Sequence, residues 1–547
     1  MKRNLLYFVL LVLWFNTTKA QNTIGTVTID ESVTDGYTLF TIDKNTYLID
    51  NCGQVVNSWT STFRPGNAVY LLGDGSILRA GQTDTTDIIL GGRGGVIERY
   101  DWDGNLTWQY FYDTPTERQH HDIFPMPNGN VLILAATIMT DTEAIEAGRN
   151  PANLSSSQLY NEQIIEVTPI GISGATIVWE WNINDHFVQD FDATKDNFGN
   201  VSESPELLDI NYISSSSTAA NWLHFNSIQY DEQLDQIVIS SRNMSEIYII
   251  DHSTTTAEAA SGNGGIYGKG GDLLYRWGNP EAYQRGTAAD RQLYGQHFPH
   301  YIRNSVNDNG KIIVFNNGNG RPASLFSEVY VIDPPISSPG NYSIGSSAFG
   351  PSAPDYNYTD PVPTDFYSSI ISGAQRLSNG NTLIMEGTKG RIFEINQSEE
   401  ILWEYYIPVN AGTGVAQNQG DDPSSFANGS FRATKYLPNY SAFTGRDLST
   451  PNPPIENNPN INSCLNTLNN TDFETAQLKL FPNPVVRELT VSNTNPIEKL
   501  TLLNINGAKV LENYNSNKIN VESLKQGVYF LNIHVNGTYT SRKIIKQ

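Results

Sequence analysis

The chain has 547 residues and a formal net charge of -23, from 34 Lys and Arg against 57 Asp and Glu. This acidic balance argues against binding to nucleic acid and against a polybasic membrane anchor, because both need concentrated positive charge. Many Tyr (28) and Gly (44) residues with few charges indicate a β-rich, turn-rich fold, and two cysteines exclude a disulfide scaffold.

Residues 1–20 are predicted to be a secretory signal peptide. Lys2 and Arg3 precede an apolar stretch at 5–15 and a polar, small-residue cleavage region at 16–20. The apolar stretch is too short to cross a bilayer, and no later stretch approaches the ~20 apolar residues of a transmembrane helix. The mature chain is therefore predicted to be exported without a transmembrane segment. In an oxidising compartment its two cysteines, Cys52 and Cys464, could pair.

Two elements recur along residues 21–440. The first is a strand that ends in Trp, at Trp59, Trp108, Trp179, Trp277 and Trp403. Residues 328–333 are interpreted as the end of one further unit, which lacks Trp. The second is a pair of apolar strands joined by an Asn-Gly-type turn, which occurs six times. The chain opens on the back half of a unit and ends near 440 on a front half. This phase predicts an all-β, six-bladed β-propeller whose ring is closed by N- and C-terminal strands.

Polar segments interrupt and follow the repeats. Residues 137–162, 184–221 and 334–366 are predicted to be loops over one face, and whether their Asp and Asn bind calcium stays open, since no regular spacing appears. Residues 441–472 are rich in Pro and Asn, which is typical of a linker. Residues 473–547 alternate apolar and polar residues between turns, which predicts a small C-terminal β-sandwich domain.

Histidines stand at equivalent points of three consecutive units. His121, His224 and His297 each come just before a first strand, and His120 and His300 flank the same points. The first strand of a propeller blade lines the central channel, so these side chains are expected to converge near the axis. Each one alone could instead be a structural histidine. A three-histidine metal site also fits the composition, but no HxH or HExxH spacing supports it, and neither metal nor cofactor is predicted.

Two arginines follow second strands of the same units. Arg242 ends one of these strands and Arg321 follows the next. A guanidinium group suits a tetrahedral oxyanion such as sulfate, so these arginines predict an anionic ligand at the channel mouth. The alternative for Arg242 is a structural ion pair with a carboxylate such as Glu246.

The C-terminal segment resembles the type A sorting domain of the type IX secretion system of Bacteroidetes. The resemblance lies in Phe481-Pro-Asn-Pro484, Asn506-Gly507 and Gly527-Val-Tyr-Phe530. It implies recognition by the type IX machinery and passage through the periplasm and across the outer membrane, to a secreted or surface-bound form.

Residues 30–440 resemble the arylsulfotransferase family. The matching stretches are His224-Phe-Asn-Ser-Ile, Ile-Ser-Ser-Arg242, Arg276-Trp-Gly278, Gln296-His297, Phe315-Asn-Asn-Gly318, Arg321-Pro322, Gly373–Asn381, Gly390–Glu394 and Trp403-Glu404. The resemblance implies transfer of a sulfuryl group from a small aryl sulfate to a phenol without a nucleotide cofactor. His224, His297 and Arg321 match positions that bind and polarise this group. We add His121 to the catalytic candidates, and Arg242, His300 and His120 to the substrate-binding ones.

One departure from the family leaves the activity open. The family's usual nucleophilic histidine follows the matching arginine, whereas this chain has no histidine between Tyr301 and Ile533. Either His121, His224 or His297 serves as nucleophile, or the site binds a sulfated ligand without transfer, or activity is lost. The rival function is therefore a non-catalytic, adhesin-like propeller that binds sulfated glycans or surface polymers.

Overall fold

The structure is a computed structural model, and the chain forms two compact units, Met1–Asn460 and Ile461–Gln547. It describes residues 22–84, 88–154, 158–213, 220–344, 347–449, 451–461, 464, 479–492, 496–504, 508–535 and 538–547. The predicted signal peptide and most of residues 462–478 lie outside this range. Neither cysteine is a free thiol. No helix within the described ranges is both long and apolar enough to cross a membrane.

The first unit is built almost entirely from antiparallel strands. In chain order these are β1 (Gly25–Ile29), β2 (Tyr37–Ile42), β3 (Asn45–Ile49), β4 (Gln54–Thr60), β5 (Arg64–Leu71), β6 (Ile77–Gln82), β7 (Gly95–Tyr100), β8 (Leu106–Phe111), β9 (Glu117–Pro125), β10 (Val131–Thr140), β11 (Gln158–Ile170), β12 (Gly174–Asn182), β13 (Phe187–Val188), β14 (Leu208–Asp209), β15 (Phe225–Asp231), β16 (Gln236–Ser241), β17 (Glu246–Asp251), β18 (Tyr275–Trp277), β19 (His297–Tyr301), β20 (Ile312–Asn316), β21 (Glu328–Ile332), β22 (Ile336–Ser338), β23 (Asn341–Tyr342), β24 (Tyr356–Tyr358), β25 (Gly373–Arg376), β26 (Thr382–Glu386), β27 (Arg391–Ile395), β28 (Ile401–Tyr406), β29 (Ala433–Tyr436) and β30 (Asn452–Pro454).

Helices are short and lie between strands. The α-helices described in the first unit are α1 (Asp141–Glu146) and α2 (Thr256–Ala259), and each begins with a capping box, at Thr140 and Thr255. The 3-10 segments are Pro151–Asn153, Ile183–His186, Val201–Glu203, Pro280–Tyr283, Ala288–Asp290, Pro363–Asp365, Gly387–Lys389, Pro423–Ser425 and Ser441–Phe443. The all-β prediction is confirmed.

The long strands of the first unit pair into sheets of four or five strands. Within the described residues these are β5-β6-β7-β8, β9-β10-β11-β12, β15-β16-β17-β18, β19-β20-β21-β24, β25-β26-β27-β28 with β1 added, and β29-β2-β3-β4 with β30 added. We call the first strand of each sheet, β5, β9, β15, β19, β25 and β29, its inner strand. Successive inner strands contact one another from β5 to β29, and β2, which pairs with β29, contacts β5. The starts of the inner strands are thereby brought together.

The recurring Trp residues join neighbouring sheets. The Trp59 indole donates to the Asp101 carbonyl at 2.7 Å, and Trp108 donates to Gly174 at 2.9 Å. Trp277 and Trp403 make the same kind of bond, to the carbonyls of Pro351 and Asn51. Each of these indole rings is buried, and its N–H group needs a hydrogen-bond acceptor. The Trp residues that recur in the sequence therefore form the same kind of contact between neighbouring sheets each time.

Two segments differ from their predicted structure. Residues 328–333 form the third strand β21 rather than a Trp-type fourth strand, and the fourth strand β24 comes from within 334–366, which was expected to be a loop. Part of the expected linker is also ordered, because Phe443 is buried with Tyr37 at 4.8 Å between ring centroids and β30 pairs with β4.

The second unit contains two small sheets. Their strands are β31 (Lys479–Phe481), β32 (Glu488–Ser492), β33 (Lys499–Leu503), β34 (Lys509–Tyr514), β35 (Lys518–Asn520), β36 (Gly527–Val535) and β37 (Thr538–Lys546). The orders are β31-β32-β35 and β34-β33-β36-β37. Val491 from the first sheet and Leu502 and Leu531 from the second belong to one buried apolar cluster. The alternation of apolar residues along these strands therefore builds a core between the two sheets.

Candidate active site

The inner strands that carry the predicted histidines are irregular near them. His224 directly precedes β15 and His297 is the first residue of β19, but His121 lies in the middle of β9, so its predicted position just before a strand is wrong. His121 and His224 have positive φ angles of 49° and 52°, and Phe298, next to His297, has 57°. The pairing register of all three strands shifts at these points. A bulge re-aims a side chain, and a non-glycine residue in left-handed conformation costs about 1 kcal/mol, so such residues tend to persist where function needs them.

His121, His224 and His297 lie close together, with His121 and His297 buried and His224 half-buried. The His121 and His224 rings are 4.7 Å apart between centroids. His121 and His297 both contact the Phe431 ring, at 6.4 and 6.3 Å. We call His121, His224 and His297 the histidine cluster. The prediction that repeat positions bring these histidines together agrees with these contacts.

Arg242 is the cation of this cluster. Among the described residues its guanidinium makes one hydrogen bond, from Nη1 to the Asn243 side-chain oxygen at 3.1 Å, and no ion pair. The alternative partner Glu246 is bound instead by Arg276, at 2.5 Å between Nη2 and Oε2. Arg242 therefore presents a positive charge that no carboxylate of the described chain neutralises.

All three cluster histidines are held neutral. Burial is the main cause, and it lowers the pKa of His121 and His224 well below the usual value. It also lowers the pKa of His297 to about 3, against the opposing hydrogen bond to Asn317. The positive charge of Arg242 lowers the pKa of each of the three further. Neutral imidazoles beside a cation can bind an anion and can act as nucleophiles or bases.

Asn317 determines the tautomer of His297. The Asn317 Nδ2 group donates to the carbonyls of Ser368 and Ile371, at 2.7 and 2.9 Å, which fixes the amide orientation. Its oxygen therefore faces His297 Nδ1 at 2.7 Å and must accept a hydrogen bond. Neutral His297 consequently carries its proton on Nδ1 and its lone pair on Nε2.

Asn221 gives His224 the opposite tautomer. Its Nδ2 group lies 2.8 Å from His224 Nδ1. An amide nitrogen can only donate, so Nδ1 of His224 accepts and the proton of the neutral ring lies on Nε2. One cluster histidine thus offers a lone pair and another offers an N–H donor.

A glycine-rich loop covers the cluster. A Cβ on Gly92, which has φ +64°, would lie 2.2 Å from the His121 ring, and a Cβ on Gly91 would lie 2.7 Å from the His224 ring. The Gly92 carbonyl accepts from the His121 backbone N–H at 2.7 Å. Only glycine lets this backbone pass so close to both rings.

A buried ion pair between Arg432 and Asp122 lies next to the cluster. Arg432 donates from Nη2 to Asp122 Oδ2 at 3.0 Å and from Nη1 to the Tyr70 hydroxyl at 3.0 Å. Its guanidinium also stacks on Phe298, 3.7 Å from the ring centroid. Sequence reasoning missed Arg432 and Asp122, which directly follow Phe431 and His121 in the sequence.

The remaining predicted site residues lie around the cluster. His120 is buried behind His121, with Nδ1 atoms 2.8 Å apart. His300 donates from Nδ1 to the Phe298 carbonyl at 3.1 Å, and burial lowers its pKa to about 4. Arg321 differs from expectation, because its guanidinium is paired with Glu328 at 2.5 Å and stacks on Phe326. Its charge is already neutralised, and Arg242 takes the position beside the histidines.

A large cavity opens at the opposite ends of the inner strands. It has a volume of about 690 Å³, and Tyr70, Phe124, Tyr230 and Tyr436 contribute to its lining. None of the predicted site residues lines it. Among the described residues, no group of three His, Cys, Asp or Glu side chains is placed to hold a metal ion.

Two family profiles match the chain. The profile of the family described as arylsulfotransferase matches residues 16–417. The chain belongs to the arylsulfotransferase family. A secretion system C-terminal sorting domain matches residues 479–547 of this arylsulfotransferase-family chain and indicates export across the outer membrane by the type IX system. No curated protein sequence matches the chain significantly.

Solved structures similar to this arylsulfotransferase-family chain have low identity. Virginiamycin B lyase from Staphylococcus aureus is 14% identical, with 63% of this chain and 70% of that chain covered and a TM-score of 0.28. A protein of unknown function from Bacteroides caccae is 11% identical, with 68% and 94% covered and a TM-score of 0.36. A streptogramin B lyase is 14% identical, with 73% and 87% covered and a TM-score of 0.33.

Proposed function

We propose that the first unit is a six-bladed β-propeller and that it transfers a sulfuryl group from an aryl sulfate to a phenol at the histidine cluster. The six sheets would be the blades, with β29 and β2 closing the ring, and the cluster would lie at one mouth of the central channel. Membership of the arylsulfotransferase family supports the reaction class.

One observation supports the transfer chemistry more than any other. Neutral His297 offers an Nε2 lone pair beside Arg242, a cation that lacks a carboxylate partner among the described residues. A bound sulfate ester brings the negative charge that Arg242 lacks and the sulfur atom that an imidazole can attack.

The first half-reaction uses His297 as the nucleophile. Its Nε2 forms a bond to sulfur while the sulfur–aryl oxygen bond breaks, and the electron pair leaves on the aryl oxygen. This oxygen takes the proton that a second cluster histidine received from the acceptor phenol of the preceding turnover. Arg242 and the Nε2–H of His224 stabilise the charge on the sulfuryl oxygens. In the second half-reaction a phenol attacks sulfur, the nitrogen–sulfur bond breaks, and the phenol proton returns to the enzyme.

Turnover of 4-nitrophenyl sulfate by the mature full-length chain tests this proposal. With phenol as acceptor and no nucleotide, we expect phenol-dependent release of 4-nitrophenol. His297→Ala should abolish it, whereas the matched control His534→Ala in the second unit should not. Mass spectrometry without acceptor should find one sulfuryl group on the peptide that contains His297. A sulfuryl group on a His224 or His121 peptide would contradict the assignment.

The rival function is binding of sulfated polymers without transfer. Phe431 favours it, because this side chain contacts His121 and His297 at the start of the sixth inner strand, where a histidine nucleophile would otherwise fit. Binding of a sulfated glycan that depends on Arg242, with no turnover of any aryl sulfate, would support the rival and exclude the transferase.

A further inference from the structure

We propose that Glu162, His120 and His121 form a proton relay in which His121 is the acid–base residue of sulfuryl transfer. The inference rests on the proposed function, and it adds two positioning residues, Glu162 and His120, behind one catalytic histidine. The observation behind the proposal is a series of buried polar side chains, from Glu162 in β11 through His120 to His121 in β9.

The three side chains form a continuous series. The Nδ1 atoms of His120 and His121 are 2.8 Å apart, and His120 Nε2 lies 3.0 Å from Glu162 Oε2. His120 is 0% exposed and Glu162 2%. A buried carboxylate beside an imidazole is the usual way in which proteins orient a catalytic histidine and stabilise its charged form.

One carboxylate oxygen of Glu162 faces His120, and the other is bound elsewhere. Its Oε1 accepts from the Phe225 backbone N–H at 2.9 Å, which fixes the carboxylate against the next inner strand. Within the described chain, Oε2 and His120 Nε2 have no aligned hydrogen-bond partner, and each is the nearest ionic partner of the other.

The proton positions follow from the acceptor at one end. A carboxylate can only accept, so neutral His120 carries its proton on Nε2 and accepts at Nδ1. The hydrogen bond between the two rings is then donated by His121 Nδ1. This leaves the Nε2 lone pair of His121 free on the cluster side, beside His224.

The neighbouring histidines lack such a partner. The Nδ1 atom of His297 contacts the amide of Asn317, and that of His224 contacts the amide of Asn221. An amide side chain neither accepts a proton nor neutralises the charge of an imidazolium. The other charged or titratable groups that face His121 are His224, His297 and Arg242, all on the cluster side. Glu162 is therefore the group that compensates positive charge on His121 or His120.

The relay keeps each half-reaction balanced. When the acceptor phenol attacks sulfur, its proton passes to His121 Nε2, and the Nδ1 proton of His121 moves to His120, whose imidazolium is paired with Glu162. When the next aryl sulfate reacts, His121 Nε2–H protonates the departing phenolate, and the proton on His120 Nδ1 returns to His121. One proton is taken up and one is released per turnover.

Leaving-group dependence tests the relay in the mature full-length chain. In the first half-reaction, measured as a single turnover without acceptor, Glu162→Gln should slow release of phenol from phenyl sulfate by about 10²- to 10⁴-fold, the usual contribution of general acid catalysis. Release of 4-nitrophenol from 4-nitrophenyl sulfate should fall far less, since 4-nitrophenolate leaves without a proton. The matched control is Glu166→Gln, another buried carboxylate of β11, which should leave both rates close to wild type. Equal losses with the two donors in Glu162→Gln would overturn the relay.

A second measurement is independent of turnover. Nitrogen-15 NMR of the histidine side chains without substrate, at high pH, should show protonated Nδ1 and bare Nε2 for His121, and the reverse for His120. After uptake of one proton, both nitrogens of His120 should be protonated and the His121 proton should lie on Nε2. A bare Nδ1 on His121 while His120 is still neutral would overturn the relay whatever the activity. If the NMR pattern is found but no aryl sulfate is turned over, the proposed transferase function fails while the hydrogen-bonded series stands.

Discussion

At the scale of single residues, the site is defined by the partners of its imidazoles rather than by the imidazoles themselves. Burial lowers the pKa of His297, His224 and His121, and the three have the same neighbouring cation. Their Nδ1 partners differ: an amide oxygen for His297, an amide nitrogen for His224, and an imidazole backed by a carboxylate for His121. These partners are the physical basis for three different chemical roles.

Asn317→Asp should change the ionisation of His297. A carboxylate at 2.7 Å from Nδ1 favours the imidazolium, so the pKa of His297 should rise from about 3 to near or above its usual value of about 6.5. Because the nucleophile must be neutral, transferase activity should acquire an acid-side inflection that moves toward neutral pH. NMR titration of the His297 ring measures the pKa directly.

The matched control for this prediction is Asn57→Asp. Asn57 also donates to a backbone carbonyl, that of Trp102, at 2.8 Å. Both variants should lose about 1–3 kcal/mol of unfolding free energy for each carbonyl left without its donor. Only Asn317→Asp should move the pH profile, and an unchanged His297 titration would refute the tautomer assignment.

At the scale of strands and turns, His252 connects two sheets. It follows β17, and its ring contacts Asp235 in the β15–β16 turn at 2.7 Å and Glu166 of β11 at 3.0 Å. Burial disfavours its charged form, but the hydrogen bonds to both carboxylates outweigh burial and raise its pKa to about 9. Burial likewise opposes the charge of Glu166, and hydrogen bonds from His252, Asn130 and Asn128 lower its pKa to about 2.

The contribution of this contact to stability should depend on pH. The folded pKa of His252 lies above the unfolded value, so the stabilisation is complete below pH ~6.5 and is lost as pH rises through about 9. For Glu166 the sign is reversed, and stabilisation present above pH ~4.5 is lost as pH falls through about 2. His252→Gln should therefore cost on the order of 2 kcal/mol between these limits, after screening at the partly exposed Asp235.

Urea unfolding of wild type and His252→Gln at a series of pH values measures this effect. The difference in unfolding free energy should be largest between pH ~4.5 and ~6.5 and should shrink toward pH 10. A difference that stays constant from pH 6 to pH 10 would show that His252 acts by packing against Trp179 and Tyr230 rather than by its charge.

At the scale of the whole molecule, the sequence predicts structures formed by neighbouring residues but not contacts between distant residues. Each hairpin is specified by adjacent residues, and the phase of the hairpins predicts which histidines share a position. The fourth strand β24 was missed because a polar insert precedes it and it lacks Trp. Glu162, Asn317 and Arg432 were missed because each contacts a residue that is distant in the sequence, and pairing between distant residues leaves no periodic pattern.

Residues from the two ends of the first unit meet at the buried ammonium group of Lys435. Lys435 in β29 donates from Nζ to Glu394 Oε2 in β27 at 2.7 Å, and both side chains are fully buried. Lys435 Nζ also donates to the Thr34 carbonyl and the Asn51 side-chain oxygen, both at 3.0 Å. N-terminal residues, β27 and β29 are thus held by one ammonium group.

Lys435→Met should therefore destabilise the whole first unit. It leaves the Glu394 carboxylate buried without its cation, which costs about 3–5 kcal/mol, whereas removing the exposed partner in the surface pair Lys195–Glu146 costs about 0–1 kcal/mol. Denaturant midpoints of Lys435→Met and the control Lys195→Met measure the difference. Adding Glu394→Gln to Lys435→Met should recover part of the loss, because the buried charge is removed as well. Equal midpoints for the two single variants would mean that the joined ends contribute little, and that contacts between successive inner strands hold the first unit together.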